Sequence, residues 1–147
     1  MTATTKKYYE DIKEGEALPT LKRTMSLARM MIYGASTWDF LREHYDMEFA
    51  KSKGFAAPFV DGQMIGGNLT QLVQDWAGPD AFLRRLSFRN RTMCFPGDVI
   101  SLDGTVTKKW IENGEYLVEL NLWVDNQKGE KVIHPGRAVV QFPTRSK

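Results

Sequence analysis

The sequence predicts an α+β domain in which a mostly antiparallel β-sheet wraps around one central helix. Three observations lead there. Ile65, Leu69, Leu72, Val73 and Trp76 keep a helical period and make one apolar stripe. From about Leu83 the period falls to two and stays there, the pattern of consecutive strands with one buried face. A sheet with one apolar face needs a cover, and the helix from about Gln63 to Trp76 is the element able to supply most of it.

The elements follow in order along a chain of 147 residues, a length that suits one domain spanning 1–147. Residues 1–20 are polar, contain Gly15 and Pro19, and read as an extended segment laid along the domain. Ser26 can cap a short helix over Leu27 to Tyr33, with Gly34 ending it in a left-handed conformation. Thr37 to Gly54 is less regular, although Asp46 reads as the N-cap of a helix over Met47 to Lys53 that Gly54 terminates. Pro58 forces Ala57 out of helical geometry. Within the central helix Gly66 and Gly67 each cost about 1 kcal/mol against alanine. Close approach of another backbone or a ligand can offset that cost. Gly78-Pro79 stops the helix.

The strands come next. Leu86 and Phe88 alternate with Arg85, Ser87 and Arg89; Ile100, Leu102 and Val106 share a face, with Gly104 between them marking a bend or a close contact. Tyr116, Val118, Leu120, Leu122 and Val124 give the cleanest alternation. Asn113-Gly114 is a hairpin signal, Asp125 to Gly129 a second turn, and a last strand runs from about Arg137 to Phe142, stopped by Pro143. Leu117 and Trp123 point to the opposite face, where either an oligomeric partner or the N-terminal segment can cover them.

Composition narrows the function classes. The chain is 42% hydrophobic and 26% charged, unlike a disordered segment. A net charge of +2 argues against a dedicated nucleic-acid binder. The single cysteine, Cys94, excludes an intramolecular disulfide framework and a Cys-rich metal centre; beside Phe95-Pro96 it reads as a packed residue rather than a nucleophile. No stretch reaches eighteen uncharged apolar residues, so no membrane helix is expected. The N-terminus turns acidic where a signal peptide needs its apolar run, which sets the expectation of a cytoplasmic location.

Few residues can carry chemistry. His44 has Asp39 five positions before it and Asp46 two after it. An imidazole beside a carboxylate is a sound acid/base pair. A five-residue gap puts the two on opposite sides of a continuous helix, so the pairing requires a break between them; Asp46 is better explained as a cap. His134, before Pro135-Gly136, reads as structural or solvent-facing. Two distant histidines give no metal-ligand spacing, so no metal site is expected. Pro58-Phe59-Val60-Asp61-Gly62-Gln63-Met64 delivers the backbone into the central helix, whose free N–H groups can receive a developing negative oxygen; a tight turn capped by Asp61 explains the same residues. Thr70 either faces a ligand or bonds the carbonyl four residues back. Arg84, Arg85, Arg89 and Arg91 are either a solvated face or a binding patch for the phosphates of coenzyme A, with Arg85, Arg89 and Arg91 on one face by alternation.

Asp39, His44 and Asp46, followed by Phe49-Ala50, Gly54-Phe55, Pro58 to Met64 and Phe95-Pro96-Gly97-Asp98, resemble the MaoC-like, or hydratase 2, family of hot-dog-fold enzymes, from about Tyr8 to Pro143. Asp75-Trp76-Ala77-Gly78-Pro79 and Asp39-Phe40…His44-Tyr45-Asp46 are similar to the branch formed by small subunits of heteromeric steroid side-chain enoyl-CoA hydratases. The resemblance implies a hot-dog fold and a dimer, a dimer of dimers or a heteromer with another MaoC-like chain. It implies addition of water to a trans-2-enoyl thioester, or its removal from an (R)-3-hydroxyacyl thioester. Coenzyme A or acyl carrier protein then belongs to the substrate, and no separate cofactor is implied. Asp39 and His44 match the catalytic pair, Gly62 the glycine whose N–H meets the thioester carbonyl, with Gln63 beside it, and Thr70 stands where some members have an active-site serine. The common motif Gly-Asp-x-Asn-Pro-x-His-x-Asp is altered here by Trp38, Leu41 and Arg42, and Asp61 replaces a histidine. Two other roles compatible with the resemblance are acyl-CoA thioesterase and non-catalytic partner subunit.

Overall fold

The alternating rows become the inner face of a single sheet. The computed structural model describes residues 6–145, so the first five residues of the expected extended segment lie outside the described residues. Strands β1 (Leu21–Thr24), β2 (Phe82–Asn90), β3 (Val99–Glu112), β4 (Glu115–Asn126) and β5 (Lys131–Phe142) form a five-stranded antiparallel sheet in the order β1-β3-β4-β5-β2. Among the described residues three α-helices precede β2: α1 (Leu27–Thr37), α2 (Met47–Ser52) and the long α3 (Gly62–Ala77).

Register turns the sequence pattern into packing. Val106 pairs with Leu120, Leu120 with Ala138 and Ala138 with Leu86, so one apolar row crosses four strands. The row packs in the same core as Ile65, Leu69, Leu72, Val73 and Trp76 of α3, all buried. Each such aliphatic side chain removed from water contributes about 1.5–3 kcal/mol, which accounts for the sheet choosing this face. The β3–β4 hairpin turns at Asn113 (φ 51°) and Gly114 (φ 78°), the two left-handed residues that a two-residue turn between right-twisted strands requires. The two helical glycines separate. A Cβ on Gly66 would stand 2.4 Å from Phe88 Cζ, whereas one on Gly67 would meet nothing within 4 Å.

Two expectations need correction. Gly34 does not end α1; the helix runs on to Thr37 and closes on Trp38 in the left-handed region, φ 58°. Gly34 serves the chain's return instead: its carbonyl accepts from Asp39 N–H at 3.0 Å, and a Cβ there would lie 2.7 Å from the Asp39 carbonyl oxygen. The last strand begins at Lys131 rather than Arg137 because a register shift between the pairs Leu122–Gly136 and Val124–Ile133 absorbs Pro135, which has no N–H to give the ladder. β1 carries no sequence signal, being four residues at an edge. Leu117 is buried and Trp123 half-buried. The described part of the N-terminal segment is laid along the domain. It lines the free edge of β3, with Gly15 N–H bonded to Val106 O, Val106 N–H to Glu16 O and Leu18 N–H to Gly104 O. Among the described residues no helix is long and apolar enough to cross a membrane.

Candidate active site

The break that the Asp39–His44 pairing requires is present. Left-handed Trp38 turns the chain out of α1, Leu41 is extended, and Arg42–His44 form a single 3-10 turn. The Asp39 carboxylate accepts the Leu41 N–H at 3.2 Å, which fixes the turn locally. Asp46 then caps α2, accepting from Phe49 N–H at 3.0 Å and pairing with Arg42 at 2.7 Å. That hydrogen bonding is the structural role the sequence assigns to it.

A second strand of chain holds the imidazole. Phe59 N–H donates to Glu43 O at 3.2 Å, and His44 Nδ1 lies 2.8 Å from Phe59 O. A backbone carbonyl can only accept, so Nδ1 carries the proton and a neutral ring presents Nε2 as an acceptor. The Phe59 ring stands edge-on to the imidazole at 4.9 Å and limits its rotation.

Asp61 completes the cluster. Asp39, His44 and Asp61 each place one oxygen or ring nitrogen within 4.8 Å of the others, and all three are half-buried. With Met30, Tyr33, Gly34 and Met64 they enclose a space of about 10 Å³, the scale of one water site. Burial pushes the Tyr33 phenol above its ordinary value, and the charges of Asp61 and then Asp39 push it further; it stays a neutral donor facing two carboxylates. Asp61 also caps α3, its Oδ1 accepting from Gln63 N–H at 2.8 Å. The sequence pattern assigns Asp61 this capping role and no contact with His44. Its seventeen-residue separation from His44 hides the contact, which depends on the Phe59–Glu43 pairing.

Wider spaces lie near these residues. A cavity of about 330 Å³ opens past Met30, Met31, Phe40 and Tyr45 to Asp39 and His44. A groove of about 240 Å³ runs along Phe59, Val60, Gly62, Asn90, Arg91 and Cys94. Gly62 lines this groove and directly follows Asp61 of the cluster in the chain. The Cys94 thiol in its wall is pushed up to about 11 by burial, then by Asp98 and Glu130, which fits a packed thiol and not a nucleophile.

The remaining candidates spread out. The Gln63 side chain is exposed and lines none of these spaces. Thr70 Oγ1 donates to Gly66 O at 3.2 Å, the bond four residues back, and it too lines none of them. Arg91 lies one residue beyond β2, which ends at Asn90; its Nε donates to His134 O at 2.6 Å and it lines the groove. Arg85 stands opposite Val139, and Arg89 sits at a register shift. Arg84 pairs with Glu115 at 3.1 Å. His134 is exposed.

A curled antiparallel sheet around a long helix, with an acid and a histidine brought together at that helix's start, is a hot-dog arrangement. The chain belongs to the MaoC-like domain family, whose model matches residues 11–126. It is similar to the 3-oxo-4,17-pregnadiene-20-carboxyl-CoA hydratase beta subunit of Mycobacterium tuberculosis, 29% identical over 93 residues, covering 63% of this chain and 72% of that one. Among solved structures it is similar to the ChsH1–ChsH2 complex of Mycobacterium tuberculosis (24% identity, TM-score 0.77, covering 89% of this chain and 98% of that one). It is also similar to the (R)-hydratase from A. caviae involved in PHA biosynthesis (23% identity, TM-score 0.81, covering 91% and 99%).

Proposed function

We propose that this chain hydrates the 2,3 double bond of an enoyl thioester, or removes water from the (R)-3-hydroxyacyl thioester, as a hydro-lyase. The observation that carries the reading is the convergence of Asp39 and His44 on a water-sized space beside the start of α3. In hydration the pair takes a proton from water as its oxygen bonds to carbon 3. The π electrons move toward the thioester oxygen, which the Gly62 N–H meets, and the proton returns to carbon 2. The thioester itself polarises the double bond, so this chemistry needs no metal or redox cofactor, and chelation is expected to leave the rate unchanged. The 330 Å³ cavity suits the acyl group and the 240 Å³ groove the pantetheine arm of coenzyme A or acyl carrier protein, with Arg91 at its side for a phosphate.

The functional unit in this reading is an oligomer, either a homodimer, a dimer of dimers or a heteromer with a second MaoC-like chain. Met31, Phe40 and Tyr45 at the cavity mouth are exposed, and Trp38 beside them is 84% exposed. Apolar side chains in that number around a site are what a partner subunit covers. The similarity to a protein named as a beta subunit favours the heteromer as a second reading.

The test is turnover of trans-2-enoyl-CoA by the purified chain, alone and with a co-purifying partner. Hydration removes the conjugated enoyl absorbance and yields an (R)-3-hydroxyacyl product without free thiol. Release of coenzyme A thiol identifies a thioesterase instead. Activity of a mixture that survives loss of both Asp39 and His44 assigns this chain a non-catalytic place.

A further inference from the structure

Where β2 crosses the start of α3, two strand residues meet two helix glycines. A Cβ on Gly66 would stand 2.4 Å from Phe88 Cζ, and one on Gly62 would stand 2.2 Å from Asn90 Nδ2. Four helix residues and two strand residues each span roughly 6–7 Å, so both pairs meet in step. Chemically they differ. Phe88 packs against the apolar core, whereas Asn90 brings an amide to the same inner side of β2. No hydrogen bond among the described residues engages that amide.

The neighbouring backbone donor is also free. The Asp61 carboxylate takes the Gln63 N–H, and the Gly62 N–H has no acceptor among the described residues. Gly62 and Asn90 line the same groove, between apolar walls from Phe59, Val60 and Ile65. Asp61, one residue before Gly62, faces Asp39 and His44.

We infer that Asn90 is a catalytic residue whose side-chain amide is the second donor, beside the Gly62 N–H, to the thioester oxygen of the bound enoyl substrate. This rests on the hydratase reading and adds a named group to it. During attack the water oxygen forms its bond to carbon 3, one water proton passes to the acid–histidine pair, and the π electrons become charge on the thioester oxygen. Two donors hold that charge until the proton is delivered to carbon 2 and the pair of electrons returns. The amide matters more in the transition state than in the ground state, because the oxygen is most negative there.

The experiment compares wild type, Asn90→Asp and Asn90→Ala in the assembly that shows turnover. Asn90→Asp keeps the shape packed on Gly62 and removes the donor. Both variants should lower kcat by about 10²–10³-fold with little change in KM. A conjugated aryl-enoyl-CoA supplies a readout that packing alone would not move: its absorption band shifts to the red when the carbonyl is polarised, and both variants should lose part of that shift. Near-wild-type kcat in Asn90→Asp, or an undiminished red shift in both variants, overturns the inference while leaving the hydratase reading in place. A wild-type protein that neither turns over enoyl-CoA nor shifts the band overturns both.

Discussion

The sheet with α3 and the segment from α1 to α2 are held together in different ways. Eight residues of α3 are buried, and the N-terminal segment is tied to the same body: Glu16 bonds Lys7 Nζ at 2.7 Å and Trp76 Nε1 at 3.1 Å, and Lys109 Nζ donates to Tyr9 O and Ile12 O. In α1 only Met30 is buried and in α2 only Ala50, while Ile32, Trp38 and Leu41 are mostly exposed. Asp39 and His44 lie in that second segment, Asp39 bonded to Gly34 and Leu41 within it, and His44 to Leu41 and, outside it, to Phe59. Asp61, Gly62 and Asn90 belong to the first body or its margin. The site is thus assembled across a well-packed helix start and a thinly packed arch, and thin packing is where local opening concentrates. A partner subunit over the arch would supply the contacts that the chain alone lacks.

The largest effect that sharpens this contrast is functional and falls in the arch. Asp39→Asn and His44→Ala should each cost about 10²–10⁴-fold in turnover. The double variant should be little worse than either if, as proposed, the two act on one water. Their melting temperatures should stay near wild type, since both side chains are half-buried. Next comes a pair of glycines in the packed body. Gly66→Val should destabilise by about 1–3 kcal/mol by driving a side chain into Phe88. Gly67→Ala, in open space, should be neutral or stabilise by up to about 1 kcal/mol. Denaturant midpoints measure both, and equal penalties would break the distinction between the two helix faces.

A smaller effect is expected at the arch's far end. Asp46→Ala removes the cap that accepts from Phe49 N–H and should cost about 1 kcal/mol, read as faster amide exchange in α2 than in α3. The smallest concerns the tie between the N-terminal segment and α3. Burial pushes the Glu16 carboxyl up, but the Lys7 and Trp76 donors outweigh it and hold it below its usual range. A lowered carboxyl contributes stability that is complete above its unfolded value, about 4.3, and is lost as pH falls through the folded one. Melting temperature should drop on acidification below that point, and Glu16→Gln should drop less steeply than wild type.

What the sequence made legible follows the same division. Period-two rows and the Ile65–Trp76 stripe report burial directly, so the sheet rows and the central helix were readable residue by residue. β1 is too short to show a period, and β5 hides behind Pro135, whose tolerance depends on an extra residue in β5 itself, opposite both neighbouring strands. In the arch, Asp39 and His44 could be named, yet their meeting depends on a tryptophan in the left-handed region, a conformation no local pattern announces. Asp61 and Asn90 reach the site only through tertiary pairing, the one by Phe59 against Glu43, the other by β2 crossing α3. Alternation alone does not tell that Arg91 stands one residue past the end of β2, where its side chain engages the His134 carbonyl.

The central claim is that an acyl thioester lies across Gly62 with its reacting carbons toward Asp39 and His44. A crystal structure of the assembled protein with a saturated acyl-CoA, which cannot be hydrated, measures this directly. The thioester oxygen should lie within hydrogen-bond distance of the Gly62 N–H, with carbon 3 facing an ordered water shared by the Asp39 carboxylate and His44 Nε2. A thioester bound elsewhere, or a carbon 3 turned away from that water, would contradict it.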